Sequence, residues 1–476
     1  MRHAFIIALP LSVWASLASA EATPEGAEAL TATLQTYLGA TEGVVTVTAE
    51  QDYYDVSLDF AWLIAKAPPE VKTTLTPIEF SLTENGDGTW EMEQDQAVDF
   101  TMSVPGAADI TVKIASLHST GTFDGALQSF TTSTTTVTDF SLTEKITDAN
   151  TNADSNIAYS FDSMQYSSTA EEGADGGVDS KATYEATGLS ETMTLPEMGM
   201  PITLTAATQS GSADVSSLRP DAMYKLLAFA VANPDAAAAA AQQATLKGII
   251  KDGMPLFAHI GSTGQLKDVK AETPMGLVKL TDMAFELELN GLVADGLFRE
   301  AFTLNGLSLP AGLVPEWAAQ LMPTSLKIDF KASRFNLAAP AAILLETMDL
   351  ADPQPNTPEQ DQALLAALLP DGVVDITLAP GSVTSPLYAL TYEGRFSAGP
   401  ATPMPVGKAT VTATGMTAVE QALAAGPPDM TGQITPMLKM AESMAKPGEN
   451  GALVWELEAT PTGGFLVNGT NMMGGQ

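Results

Sequence analysis

KATYEATGLS occupies residues 181–190 and returns as KATVTATGMT at 408–417, with six of the ten positions identical. In the later copy Ala409, Val411 and Ala413 alternate with Thr410, Thr412 and Thr414. The earlier copy sets Ala182, Tyr184 and Ala186 against Thr183, Glu185 and Thr187. AFELELNGLV (284–293) shares the frame, with Phe285, Leu287 and Leu289 on one side and Gly291 in register with Gly188 and Gly415. A period of two sends successive side chains to opposite faces, which is the signature of a strand. A ligand motif would gather polar groups on one face, whereas here the polar groups are scattered threonines. The repeat therefore reads as a structural device, an alternating strand ended by Thr-Gly or Asn-Gly, where glycine permits positive φ. After the second copy, Thr417 and Glu420 have capping-box spacing and predict a helix over 418–425.

The same alternation runs outward from these segments. Tyr54, Val56, Leu58, Phe60 and Trp62 interleave with Asp55, Ser57, Asp59 and Ala61. IEFSLTENGDGTWEMEQ (78–94) predicts a hairpin, with Ile78, Phe80, Leu82, Trp90 and Met92 on one face and ENGDG as the turn. VDFTM, ITVKIASL and FTTSTTTVTDFSL continue the pattern, so the chain from Val44 to about Thr208 reads as β.

Helix signals are fewer. Thr23 can cap and Pro24 can open a first helix bearing Leu30, Leu34, Tyr37 and Leu38. Pro220 opens another that ends before Asn233-Pro234, and an Ala-rich helix is expected over 236–251. Beyond it, helices at VPEWAAQLM, APAAILLETMD and TPEQDQALLAALLP alternate with strands. In the last of these helices Thr357 and Gln360 form a capping box. In the strand SLKIDFKAS, Leu326, Ile328 and Phe330 are expected inward. The fold class is α+β and β-rich, with long antiparallel sheets and helices inserted mainly in the second half. The expected domains are a β-rich 21–216 with a short leading helix and an α+β 217–476, which reads as a remote duplication of the first.

Residues 1–20 have the form of a secretory signal peptide: Arg2 and His3, the apolar stretch AFIIALPLSVWA, and Ala18-Ser19-Ala20 before a cut between Ala20 and Glu21. No later segment reaches the length of a membrane-spanning helix. The chain has no cysteine, which removes disulfides, thiolate nucleophiles and cysteine-held metals. Its formal net charge is −36, a field that repels nucleic-acid phosphates and anionic headgroups.

The chemistry-bearing residue types are sparse. His118 and His259 lie in IASLHST and PLFAHIG, and neither has a partner four residues away, so both read as structural. Ser443 and Lys446 match S-x-x-K but lack its companion motifs. Asp148, Asn150, Asn152 and Asp154 have calcium-loop spacing, but Ala153 and Tyr159 stand where the loop needs glycine and a bidentate glutamate. No phosphate-cradling glycine loop occurs. Catalytic, cofactor-binding and metal residues are all expected to be none, and no cofactor is expected.

The leader followed by a short helix, the PIEFSLTENGDGTWEM hairpin and the strands ending in NGL or TGM resemble an uncharacterised alphaproteobacterial envelope family, domain of unknown function 2125. The closing WELEATPTGGFLVNG is similar to the ends of β-rich envelope proteins of the lipid-handling AsmA group, which, unlike this chain, are membrane-anchored. The resemblance offers no catalytic residues to carry over. Together with the one-sided strands it leads to an expected soluble periplasmic protein without enzymatic activity. Such a protein would bind a lipid or other apolar ligand, or partner an envelope protein in assembly, without nucleic acid. The alternatives are a periplasmic hydrolase with an unrecognised Ser/carboxylate site and a purely structural or interaction domain. The exported chain is expected to begin at Glu21. Its intact mass settles this, since retention of residues 1–20 would rule the leader out.

Overall fold

The structure, a computed structural model, describes residues 21–60, 70–148, 151, 153–174, 176–196, 200–400 and 402–472. The expected leader at 1–20, with its cut after Ala20, lies outside the described residues, as does Trp62. The chain divides into two compact units. One takes the chain as far as Ile260 together with Ala342–Pro355; the other comprises Gly261–Ala341 and Asn356–Gln476. The fold is β-rich, its strand pairs are antiparallel, and its helices fall mostly in the second half.

The first unit opens with α1 (Pro24–Leu38), where the Thr23 hydroxyl accepts from the Gly26 N–H at 3.0 Å and Pro24 occupies the first turn. Its buried stripe, Ala27, Leu30 and Leu34, recurs at helical spacing. Gly26 is needed for close approach, because a Cβ there would collide with the Tyr54 hydroxyl. That hydroxyl accepts from the Thr23 N–H at 3.2 Å, tying the helix start to the sheet.

The sheet begins with short strands β1 (Val45–Ala49), β2 (Tyr54–Leu58), β3 (Lys72–Leu75) and β4 (Ile78–Glu84). The run β5 (Thr89–Val104), β6 (Ala108–Asp124), β7 (Ser129–Thr147), β8 (Asp154–Glu172), β9 (Val178–Thr194) and β10 (Ile202–Leu218) then forms a meander. Each strand pairs with the next, while β4 and β3 share the free edge of β5 in tandem. The longest strands have 19 residues, about 60 Å of extended chain and roughly three times the usual length.

Direct partners across a ladder share a face. Leu82, Met92 and Gly121 follow one another across the strands, as do Trp90, Phe123 and Phe130 near one end. Phe100, Val112, Leu142 and Tyr159 do the same near the other end. Between these ends the alternation slips by one residue at a common level. Gln96 and Val98 of β5 face Leu117 and Ile114 of β6, Asp139 adopts φ 50°, and Gly188 adopts φ 69°. A slip in one strand alone would turn its apolar set to the other face. Because neighbouring strands slip together, the apolar groups of both ends stay on one face, with a band of paired hydroxyls, Ser119–Thr135 and Ser133–Ser168, between them. The reverse of that face is polar, with hydroxyl pairs such as Thr120–Thr134 at 2.9 Å and Ser167–Thr183 at 2.9 Å.

The helices gather at one end. The buried cluster joins α1 to β1, β2, β4, the start of β5 and the end of β6, with Val56 fully buried and Phe123 1% exposed. α2 (Pro220–Ala232) packs on α1 and on α4 (Gln243–Gly253), and Tyr37 meets Tyr224 at 5.8 Å. The Ala-rich helix expected over 236–251 is two helices. α3 (Ala236–Ala241), capped by Asp235, ends where the Gln242 N–H turns back to the Ala238, Ala239 and Ala240 carbonyls, and α4 follows.

The second unit repeats the style. β11 (His259–Thr273) leads into it. β12 (Gly276–Asn290), β13 (Gly296–Asn305), β14 (Ser325–Phe335), β15 (Val374–Thr384), β16 (Ala389–Gly399) and β17 (Thr402–Thr414) form its meander, extended through β19 (Leu453–Ala459) and β20 (Phe465–Val467). The short β18 (Lys446–Pro447) pairs with β19, and β21 (Thr470–Asn471) with β20. Between strands lie α5 (Glu316–Ala319), α6 (Ala338–Thr347, which passes into the first unit at Ala342), α7 (Pro358–Leu368), α8 (Met416–Ala424), α9 (Pro428–Thr431) and α10 (Ile434–Met444). The Thr357–Gln360 capping box closes both ways, at 2.7 and 3.3 Å.

The three related segments differ in how they end. Gly415 follows β17 with φ 83° and caps α8, which starts at Met416. Thr417 therefore lies inside the first turn, so the Thr417–Glu420 capping box does not form and the helix begins two residues before the predicted 418. Gly291 follows β12 without positive φ, and Gly188 sits inside β9 at the slip rather than at a strand end. A Cβ on Gly188 would strike the Asp162 carboxylate. Gly188→Ala is expected to cost about 1–3 kcal/mol through positive φ and this clash. Phe123→Ala should cost about 3–5 kcal/mol. Urea unfolding followed by circular dichroism measures both, and an unchanged midpoint for Gly188→Ala would refute the role given to the slip.

Candidate functional site

The sequence candidates for chemistry do not converge. His118 is exposed on the polar face of β6, opposite Asp95. His259 lies 4.0 Å from Asp214 at the β10 end of the first unit. The Ser443 hydroxyl donates to the Met440 carbonyl at 2.7 Å within α10, while Lys446 pairs with Glu456 at 2.6 Å. Serine and lysine are thus directed to different partners, and the S-x-x-K spacing does not become a catalytic pair. In the 148–154 loop, Asp148 accepts from the Thr151 N–H at 2.8 Å. Asp154 is held by Thr147 at 2.7 Å and Lys145 at 2.9 Å, which keep its carboxyl below the usual range. Asn150 and Asn152 lie outside the described residues. Among the described residues no group of three or more His, Asp or Glu side chains is placed to hold a metal.

Sequence reasoning missed an ion cluster in the second unit. Arg299 on β13 donates twice to Asp329 on β14, at 3.1 and 2.8 Å, and reaches Glu288 at 2.6 Å and Glu286 at 3.0 Å on β12. Hydrogen bonding to Asp329 raises the guanidinium further above its ordinary value, against the opposing effect of burial. Register creates the cluster, since Arg299 lies opposite Glu288 on one side and Lys331 on the other, and Ala301 lies opposite Glu286 and Asp329. One expectation for this strand fails: Ile328, expected inward, is 40% exposed, while Asp329 is 7% exposed. Leu326 and Phe330 are partly buried. The fork-shaped Arg–carboxylate pair offsets the burial of Asp329 on a face whose Glu286, Lys327 and Lys331 are exposed.

The apolar face of the first unit is the other unusual feature. Near the slip it is buried, at Phe161, Leu189 and Ala206. Toward the far tips Leu142, Ile157, Tyr159, Met193, Ile202 and Leu204 are half-buried, and Ile146 is 43% exposed. Phe140 stacks on Phe161 at 4.7 Å, and Tyr159 stands edge-on to Phe140 at 5.9 Å. Burial pushes the Tyr159 phenol up, with a further rise from the Glu191 carboxylate and Tyr184. The helix packing of this unit lies at the opposite end. On the reverse of the same far end is a polar hollow of about 350 Å³, whose lining includes Asp109, Thr143, Lys145 and Asn156. The signal in the sequence was present in part: apolar residues alternate in the far half of each strand, as at Leu142, Ile157, Tyr159, Ile202 and Leu204, while apolar helix stripes are short.

No protein-family model matches this sequence, and no curated protein matches it. Among solved structures, the siderophore receptor PirA from Acinetobacter baumannii is similar over 76% of this chain and 49% of its own, at 8% identity and a TM-score of 0.17. The chain thus spans about half the length of that receptor, and likeness at this level carries no argument about fold or activity. Among the described residues no helix is long and apolar enough to cross a membrane, which says nothing of strands.

The Arg299 cluster leads to a measurable expectation. Arg299→Met leaves Asp329 buried without its cation and should lower stability by about 2–3 kcal/mol, below the ~3–5 of a fully buried pair. Adding Asp329→Leu should recover most of the loss in urea unfolding. No recovery would show that the cluster does more than neutralise Asp329.

Proposed function

We propose that this chain is a soluble, exported periplasmic protein of α+β type, without enzymatic activity, that holds a lipid or other apolar ligand on the far half of its first-unit sheet. The observation that carries the reading is the continuation of the apolar face about 20 Å beyond the helix-covered core, along Val98, Phe100, Met102 and Val104 of β5 and their partners. A structural core needs apolar surface only where another element covers it. Apolar residues maintained beyond that cover are what an acyl chain would use. The leader-like residues 1–20 and the resemblance to the alphaproteobacterial envelope family support export and membership of that family. The acidic surface supports a ligand that is not itself strongly anionic.

Native mass spectrometry of protein purified from its own periplasm tests this directly. A co-purified adduct of lipid mass, or stoichiometric lipid uptake on incubation, is expected. A clean apo mass that takes up no lipid would sink the proposal. Leu142→Asn, on the half-buried face, should reduce uptake several-fold while leaving the far-ultraviolet spectrum unchanged.

A further inference from the structure

The far half of the apolar face contains two carboxylates that the alternation would not place there. Glu144 of β7 lies between Ile110 and Ile157, and Glu191 of β9 lies between Tyr159 and Leu204. Direct partners share a face, so both carboxylates rise from the apolar side. Neither forms a hydrogen bond or ion pair with another described residue. Lys145, adjacent to Glu144 in the chain, points to the opposite face and is engaged with Asp154. An unpaired carboxylate among aliphatic and aromatic neighbours forgoes part of its hydration, so it favours an incoming cation more than a carboxylate in open water does.

Glu191 of β9 lies directly opposite Tyr159 of β8, and Glu144 of β7, opposite Ile157, is the diagonal neighbour of Tyr159 on its other side, so the two carboxylates stand about 12 Å apart across two strands and two residues. Tyr159 in turn touches Phe140 and Phe161. An aromatic ring with one carboxylate beside it and a second on the diagonal is chemistry that recognises an ammonium group, through the ring and the nearby charges together.

We infer that the far half of the first-unit sheet binds a long-chain lipid whose head group carries an ammonium, with that ammonium seated over Tyr159 between Glu144 and Glu191. This rests on the apolar-face reading and names the ligand class for it. Charge complementarity selects the occupant: a phosphate or carboxylate head group without a cation would meet two unpaired carboxylates and a strongly acidic protein.

The test is binding of three probes with the same palmitoyl chain to the full exported chain, measured below their critical micelle concentrations by tryptophan fluorescence and native mass spectrometry. The probes are lysophosphatidylcholine, lysophosphatidylglycerol and monopalmitoylglycerol. Lysophosphatidylcholine is expected to bind about tenfold more tightly than the neutral glyceride, and the anionic probe most weakly. Glu144→Gln with Glu191→Gln should erase the advantage of the choline probe over the glyceride while leaving glyceride binding unchanged. Equal binding of all three probes would overturn the head-group assignment and leave the apolar-face reading standing. A preference that survives the double substitution would also overturn the assignment, because it would arise from bulk charge. Binding of none would overturn both.

Discussion

Everything distinctive in the first unit depends on parity within the antiparallel ladder. A residue and its direct partner project to the same side, so one error in alternation propagates unless every neighbour makes it too. Here β6 to β10 err together, at Leu117/Ile114, Asp139 and Gly188, while β5 keeps its alternation and an irregularity against β6 absorbs the difference. The shared slip keeps a single apolar face through strands of up to 19 residues. It also explains an aspartate and a glycine at positive φ inside strands, where regular pleating has no use for either.

The second constraint is the small amount of helix available to cover that face. α1 buries Ala27, Leu30 and Leu34 against β1, β2 and β4, and α2 packs on α1 rather than reaching along the sheet. The core is therefore local. Val56 and Phe123 are sealed, while Leu142, Tyr159 and Leu204 on the same face keep part of their surface open. In the second unit the Arg299–Asp329 pair lets one aspartate be buried among charged, mostly exposed neighbours, while Ile328 on the other face is 40% exposed.

Much of this was legible in the sequence, and the illegible parts share a cause. Alternation in YDVSL, IEFSL and FELEL, the Thr23 cap and the Thr357–Gln360 box are local patterns whose physics acts within a few residues, and they appear as read. The exposure of Ile328 was misjudged because hydrophobicity indicates which residues share a face, not how completely each position on it is covered. The Arg299 cluster and the setting of Glu144 and Glu191 were invisible because each joins residues on different strands. Only register brings such residues together.

The sequence by itself determined the long alternating strands, the antiparallel β-rich class, the absence of cysteine chemistry and a strongly acidic net charge. Side-chain period and composition act locally or in sum, so no folded partner is needed to read them. The tertiary structure alone decided that KATYEATGLS is a slip within a strand while KATVTATGMT delivers a helix. It also decided that Asp329 is buried and Ile328 exposed, and that Glu191 lies opposite Tyr159 with Glu144 on the diagonal. Each of these depends on which strand lies alongside, a long-range choice made by ladder register and helix cover that no window of the chain contains.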